Sequence, residues 1–178
     1  MSTAGDEPKL VPLGSAAGQP SPAGGSRPTP LSSTEAQIEE LEVDAPVVAI
    51  LMGSKSDLPA MERAETELAE RGIRSETRVM SAHREPDVVA DYAKNAKLRG
   101  IRVIIAGAGL SAALPGVVAA HSELPVIGVP LTSRTSIAGG LDALLSIAQM
   151  PPGVPVACVG VDNASNAAVL AARILAIT

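Results

Sequence analysis

A chain of 178 residues is long enough for one domain with a real core. Its composition is 46% hydrophobic but only 1% aromatic, so the core has to be built from Ala, Val, Ile, Leu and Met, and base stacking on aromatic side chains is nearly excluded. A formal net charge of −5 argues against a polyanion-binding surface, though not against one small phosphate in a local pocket.

The first 45 or so residues, opening MSTAGDEPKLVPLGSAAGQPSPAGGS, are rich in Pro, Gly, Ser and Ala. Such a stretch buries too little apolar surface to offset its ordering entropy, so residues 1–45 are expected to be a disordered arm. STEAQIEELEVDA, residues 33–45, has the pattern of a short helical turn ahead of the domain. No charged segment followed by an apolar one opens the chain, and no apolar run reaches membrane-spanning length. The expectation is a soluble, cytoplasmic protein with no membrane contact.

From Pro46 onward, β-rich runs alternate with helix-like ones. The strand candidates are VVAILMG, SETRVMSA, IRVIIAGAG, PVIGVPL and VPVACVGV. Between and after them come DLPAMERAETELAERG, EPDVVADYAKNAKLRG, SAALPGVVAAHSE, GGLDALLSIAQM and NASNAAVLAARILA. This alternation means βαβ units on a parallel sheet. The first three strands read as apolar on both faces or nearly so, as a sheet covered by helices on both sides requires. Two helices end on a cation and then a glycine, Arg71–Gly72 and Arg99–Gly100. Pro115 interrupts the third helix unless it lies in its first turn. Residues 46–178 are thus expected to form a single α/β domain, a three-layer αβα sandwich with a doubly wound parallel sheet of order 2-1-3-4-5. Cys158, the one cysteine, sits in an apolar run and reads as a buried structural thiol.

Ligands bind such sheets beyond the carboxyl ends of the strands. After the first strand comes GSKSDLPAM, where Gly53 permits a tight turn and Ser54, Ser56 and Asp57 bring hydroxyls and a carboxylate to a helix start. Helix capping is the competing use of Ser56 and Asp57. After the second comes SAHREPD, with one of the two histidines, His83, beside Arg84, a bidentate phosphate ligand in waiting. After the third comes AGAGLSAALPG, which formally matches a dinucleotide fingerprint. That reading is rejected: the glycines follow the third strand, not the first, and no acidic residue ends the next strand. After the fourth comes PLTSRTSIAGG, whose hydroxyls and Arg134 can close over a ligand or meet a neighbouring subunit. His121 reads as a solvated surface residue. The inventory is one imidazole, one carboxylate, several hydroxyls and one or two guanidiniums, without a metal set or nucleotide cradle. It suits proton transfer on a small phosphorylated substrate, and spacing alone does not name that substrate.

In order, the segments GSKSD, SAHREPD, AGAG…LPG, LPVIGVP and GLDALLSIAQMPPGVPVA resemble those of the N5-carboxyaminoimidazole ribonucleotide mutases, the PurE family of purine biosynthesis (phosphoribosylaminoimidazole carboxylase, catalytic subunit type). The resemblance runs from about Val47 to Ala176. It implies an enzyme that moves carboxylate from the exocyclic nitrogen of the substrate to ring carbon 4, without metal, ATP, biotin or any other cofactor. It implies a homo-octamer with sites at subunit contacts, and substrate handed over by an ATP-dependent N5-carboxyaminoimidazole ribonucleotide synthase. It assigns catalysis to His83. Ser54, Asp57 and Arg84 match ribotide-binding positions, and Ser81, Ala82, Gly109 and Leu114 match other wall positions. With Gly53, Ser56 and Ser111 from the same loops, these form the expected substrate-binding set.

The chain departs from many bacterial members in the third loop. Their G-G-A-A-H-L-P-G reads GLSAALPG here, with Leu110 for a glycine and Ala113 for a histidine. Three alternatives stay open: direct carboxylation of aminoimidazole ribonucleotide by CO2, carboxylation of a pyridinium cofactor precursor by a relative, and a flavodoxin-like nucleotide-binding module without catalysis.

Overall fold

The computed structural model describes residues 45–177. Apart from Ala45, the arm and the helical turn expected at 33–45 lie outside the described residues. Five parallel strands form one sheet in the order β2-β1-β3-β4-β5. The strands are β1 (Val48–Met52), β2 (Ser75–Val79), β3 (Val103–Gly109), β4 (Val126–Leu131) and β5 (Ala157–Cys158). The helices are α1 (Leu58–Glu70), α2 (Pro86–Ala96), α3 (Leu114–His121), α4 (Leu141–Ala148) and α5 (Ala164–Leu175). This is the expected order, with the expected alternation of strand and helix.

Side chains of a strand alternate between its faces, and that period sorts the core into two layers. Val48, Ile50 and Met52 of β1 pack on one face with Met61, Ala64 and Leu68 of α1 and with Ala164, Ala167, Ala168 and Ala171 of α5. Ala49 and Leu51 face the other way, toward a layer that holds Val89 and Ala93 of α2, Val118 of α3 and Ile147 of α4. Burying each Leu- or Ile-sized side chain contributes roughly 1.5–3 kcal/mol. The helices lie close to the sheet because small residues face them. At Gly128 of β4 a Cβ would overlap Ile147 Cγ2 of α4, so only glycine fits there.

Pro115 falls in the first turn of α3, where its missing N–H breaks no helical bond. Gly72 and Gly100 adopt φ of 68° and 89°, left-handed stops after Arg71 and Arg99. Two strands differ from expectation. β2 is not apolar on both faces: Arg78 and Val79 are exposed, while β4, like β1, is buried along its whole length. The cause is position, since β2 is the sheet's edge and β4 lies inside it. Charged side chains on an edge also discourage pairing with other chains. β5 has only two residues, because Pro155 has no N–H for a ladder. Its Cys158 is half-buried rather than buried.

The edge strand is tied down by a polar cluster. Tyr92 of α2 donates its hydroxyl to Glu76 Oε1 of β2 at 2.6 Å, and Arg99 Nη1 meets the same oxygen at 2.8 Å. The Arg99 guanidinium also lies 4.3 Å from the Tyr92 ring centroid. Arg78 Nη2 donates to Glu76 Oε2 at 3.0 Å. Burial pushes the Glu76 carboxyl up, but Tyr92, Arg78 and Arg99 together outweigh it and hold the group below the usual carboxylate range. Burial, then the hydrogen bond to Glu76, push the Tyr92 phenol up to about 12.

Candidate active site

The site is assembled from the loops that leave β1, β2, β3 and β4. Beyond Met52 the chain turns at Gly53. Ser54 is extended, with φ −151° and ψ 152°, and its Oγ accepts the Ser56 N–H at 3.2 Å. Ser56 donates its hydroxyl to Ser54 Oγ at 2.8 Å. Ser54 is thus the cap of the turn Lys55–Asp57, and the Asp57 side chain caps nothing. From side chains the Asp57 carboxylate receives a long bond from the Ser56 hydroxyl, 3.4 Å. Burial pushes its pKa up; the bond from Ser56 and a backbone bond from Ser54 offset this in part.

The second loop docks against the first. Met80 N–H donates to Met52 O at 2.8 Å, and Glu85 N–H donates to Ser81 O at 2.8 Å. Between those bonds Ser81 is buried, while His83 and Arg84 stand exposed. Pro86 then starts α2. Arg84 Nη2 donates to Gly53 O at 2.8 Å, which locks the two loops together and leaves the rest of its planar donor fork available.

At the end of β3, a Cβ on Gly109 would stand 2.9 Å from the Leu131 carbonyl oxygen of β4, so the strands approach there only with glycine. The next residue, Leu110, has φ 55°. It occupies a left-handed conformation natural to glycine, at a cost of roughly 1–2 kcal/mol for an L-residue. The loop keeps the glycine geometry with leucine in place. Ala113 precedes α3 in ordinary helical geometry and does not line the cavity.

These loops enclose an open cavity of about 340 Å3. The structure brings Gly53, Ser54, Ser56, Asp57, Ser81, His83, Arg84 and Gly109 together on its wall. Ala82, Ser111 and Leu114 are not on it. Leu114 is buried in the core, Ala82 packs against that core, and Ser111 is exposed outside the cavity. Ala108, Leu110, Thr132 and Ser133 complete the wall; the strand-end rule pointed to the last two only as members of a longer loop. Arg134 and His121 are exposed and away from it. A larger cavity, about 410 Å3 among Ile101, Leu124 and Leu175, lies at the amino ends of β3 and β4 and is lined by no imidazole or carboxylate. Burial pushes the Cys158 thiol up, and its Sγ donates to Val159 O at 3.5 Å. Among the described residues no cluster of His, Cys, Asp and Glu has the makings of a metal site, and no helix is long and apolar enough to cross a membrane.

The arrangement can hold a small phosphorylated, polyhydroxylated ligand against one exposed imidazole. Comparison with known proteins identifies the family. The chain is 59% identical over 132 residues to the N5-carboxyaminoimidazole ribonucleotide mutase of Thermotoga maritima, covering 74% of this chain and 76% of that protein. It is 55% identical over 137 residues to the mutase of Pyrococcus horikoshii, covering 77% of this chain and 76% of the other. The crystal structure of Treponema denticola PurE superposes with a TM-score of 0.65 at 35% identity, covering 74% of this chain and 81% of that one. The family described as AIR carboxylase matches residues 47–178. On fold, sequence and the placement of its strand-end loops, the chain belongs to the AIR carboxylase family.

Proposed function

We propose that this chain is an N5-carboxyaminoimidazole ribonucleotide mutase of purine biosynthesis, and that residues 46–178 are its single catalytic domain. The observation that carries the reading is the meeting of His83, Asp57, Ser54 and Arg84 in one cavity of a chain so similar to mutases. His83 as imidazolium protonates the exocyclic nitrogen; the nitrogen–carbon bond breaks, giving CO2 and aminoimidazole ribonucleotide. Ring carbon 4 then attacks the CO2 carbon, and neutral His83 removes the proton from that ring carbon. The histidine ends as it began, and no atom is gained or lost. An imidazole suits both directions of transfer near neutral pH. Asp57 accepts hydrogen bonds from ribose hydroxyls, the hydroxyls of Ser54 and Ser56 bind the ribotide, and Arg84 uses its remaining donors on the phosphate.

Transient CO2 must be kept from escaping, yet His83 is exposed in the single chain. A neighbouring copy closing the mouth answers this need, and it supports the octamer that the family resemblance implies. The exposed Ile137, Leu141 and Leu145, spaced four residues apart beside and along α4, offer an apolar stripe for such contact. An ATP-dependent synthase supplies the labile carbamate, and the pathway is placed in the cytoplasm.

The test is product formation, followed by ultraviolet absorbance, from either N5-carboxyaminoimidazole ribonucleotide or aminoimidazole ribonucleotide with bicarbonate. Fast product from the first alone is expected. Comparable product from the second makes the chain a direct carboxylase, and silence with both ends the ribotide reading.

A further inference from the structure

One wall of the cavity has no part in the proton transfers above. Thr132 and Ser133 follow the end of β4, and the loop between β5 and α5 holds Thr132 from behind. Asp162 Oδ1 accepts the Thr132 N–H at 2.8 Å, and Asp162 Oδ2 accepts the Thr132 hydroxyl at 2.5 Å. Asp162 in turn donates its own N–H to Pro130 O at 2.8 Å. The absence of a side chain at Gly140 leaves room for the Thr132 methyl, since a Cβ there would stand 3.1 Å from it. The hydroxyl branch of the threonine side chain is therefore held by Asp162.

Asp162 makes these bonds from φ 53°, a left-handed backbone that non-glycine residues seldom adopt. Such a conformation persists where its surroundings over-determine it, and it concentrates at functional sites. The bonds also decide the polarity of the wall. A hydroxyl has one proton, and a carboxylate only accepts. The Thr132 proton is committed to Asp162, so lone pairs are all that Thr132 Oγ1 has left to offer.

Resting on the ribotide reading above, we infer that Asp162 is a positioning residue that makes Thr132 an obligate hydrogen-bond acceptor on the cavity wall. Thr132 thereby selects a donor group of the ribotide, and it repels a carboxylate or phosphate oxygen placed there. The register of the bound ribotide is set in this way: its acceptor-rich phosphate is directed to Arg84, and a donor faces Thr132. That donor is the base's amino group or a ribose hydroxyl.

Two substitutions at residue 162 separate this role from a structural one. Asp162→Asn keeps an acceptor for the Thr132 N–H and tolerates the left-handed backbone. Its NH2 would donate to Thr132 Oγ1, turning the hydroxyl proton toward the cavity. Asp162→Gly is at ease with the backbone but removes every side-chain bond, leaving the hydroxyl free to turn either way. Binding of aminoimidazole ribonucleotide is measured by calorimetry, with Tm and the KM and kcat of the mutase reaction alongside. The expected order of affinity is wild type, then Gly, then Asn, with Asn weaker than wild type by about tenfold and the loss in KM more than in kcat. A purely structural Asp162 predicts the reverse, because Asn preserves the shape and Gly does not. Affinity of the Gly variant equal to or below that of Asn overturns the inference. Should the Asn variant not fold, Thr132→Val replaces it: about tenfold weaker binding supports the acceptor, and wild-type affinity overturns it. Ribose 5-phosphate as a second ligand locates the donor. Parallel losses assign a ribose hydroxyl; losses confined to the full ribotide assign the base. Inactive wild-type protein would sink the ribotide reading itself, before any variant is compared.

Discussion

Glu76 and Asp57 are both partly buried carboxylates in short polar stretches, and the molecule uses them in opposite ways. Glu76, on the edge strand, takes hydrogen bonds from Tyr92, Arg78 and Arg99, and those partners hold it below the usual carboxylate range. Asp57, at the strand ends, has one long side-chain bond, from Ser56, and burial leaves its pKa raised. Each region has a carboxylate and a cation. At the edge Arg78 holds the carboxylate from within β2, while Tyr92 and Arg99 tie it to α2 and the turn that follows. In the cavity the capping is done by Ser54, and the carboxylate keeps its hydrogen-bonding capacity for something else. Saturation marks a group that serves the fold, and unspent capacity at a solvent-facing cavity marks one that serves a ligand.

The largest effect is expected at the exposed imidazole of the cavity. His83→Asn should lower kcat by about 10²–10⁴ and leave Tm within about 2 °C of wild type, because the side chain contributes no buried contact. Absorbance assays and a thermal melt check both halves; near-wild-type turnover would remove His83 from the chemistry.

Asp57→Asn should sharpen the comparison further. KM is expected to rise by about tenfold or more, since bonds to a charged acceptor are the strong ones. Stability should move the other way. A carboxyl whose folded pKa is raised contributes stability below its ordinary pKa and loses it as pH rises through the raised value. At neutral pH the ionised Asp57 is a burden on the fold, so the Asn variant should melt higher than wild type at pH 7. The gap should close below the ordinary carboxylate range. A lower Tm at pH 7 would place Asp57 among the fold-serving groups.

The smallest effect is the edge counterpart. Tyr92→Phe removes the hydroxyl from Glu76 and should cost about 1–2 kcal/mol of stability with turnover unchanged. Glu76 has a depressed pKa, so its contribution is present above the ordinary carboxylate value and is lost as pH falls through the depressed one. Denaturant melts of the two proteins should therefore converge in acid. A gap that persists there would mean that the hydroxyl acts through packing and not through the charged network.

The strand order was legible because apolar runs of strand length alternate with amphipathic stretches, and few topologies accommodate five such units. The two strands that departed are those whose pattern is weakest: SETRV, set by its edge position, and VPVACVGV, cut to Ala157–Cys158 behind Pro155. In the site, GSKSD and SAHR could be read because each follows a strand directly. Their division of labour could not, since Ser54, Ser56 and Asp57 are equally good caps on paper and only backbone geometry chooses Ser54. The left-handed backbone of Leu110 is invisible in a leucine. The Thr132–Asp162 clasp joins residues 30 positions apart, and nothing local in either segment announces the other.

Tyr92 has one more consequence, spectroscopic in kind. It is the chain's sole aromatic residue, and there is no tryptophan. Its phenol leans on Glu76 and lies beneath Arg99, so near-ultraviolet dichroism and intrinsic emission both report the edge of the sheet alone. A carboxylate accepting the phenolic proton quenches that emission, and release of β2 would appear as brightening. The candidate cavity holds no Phe, Tyr or Trp side chain and is optically silent, which leaves the imidazole ribotides as almost the only chromophores in an assay.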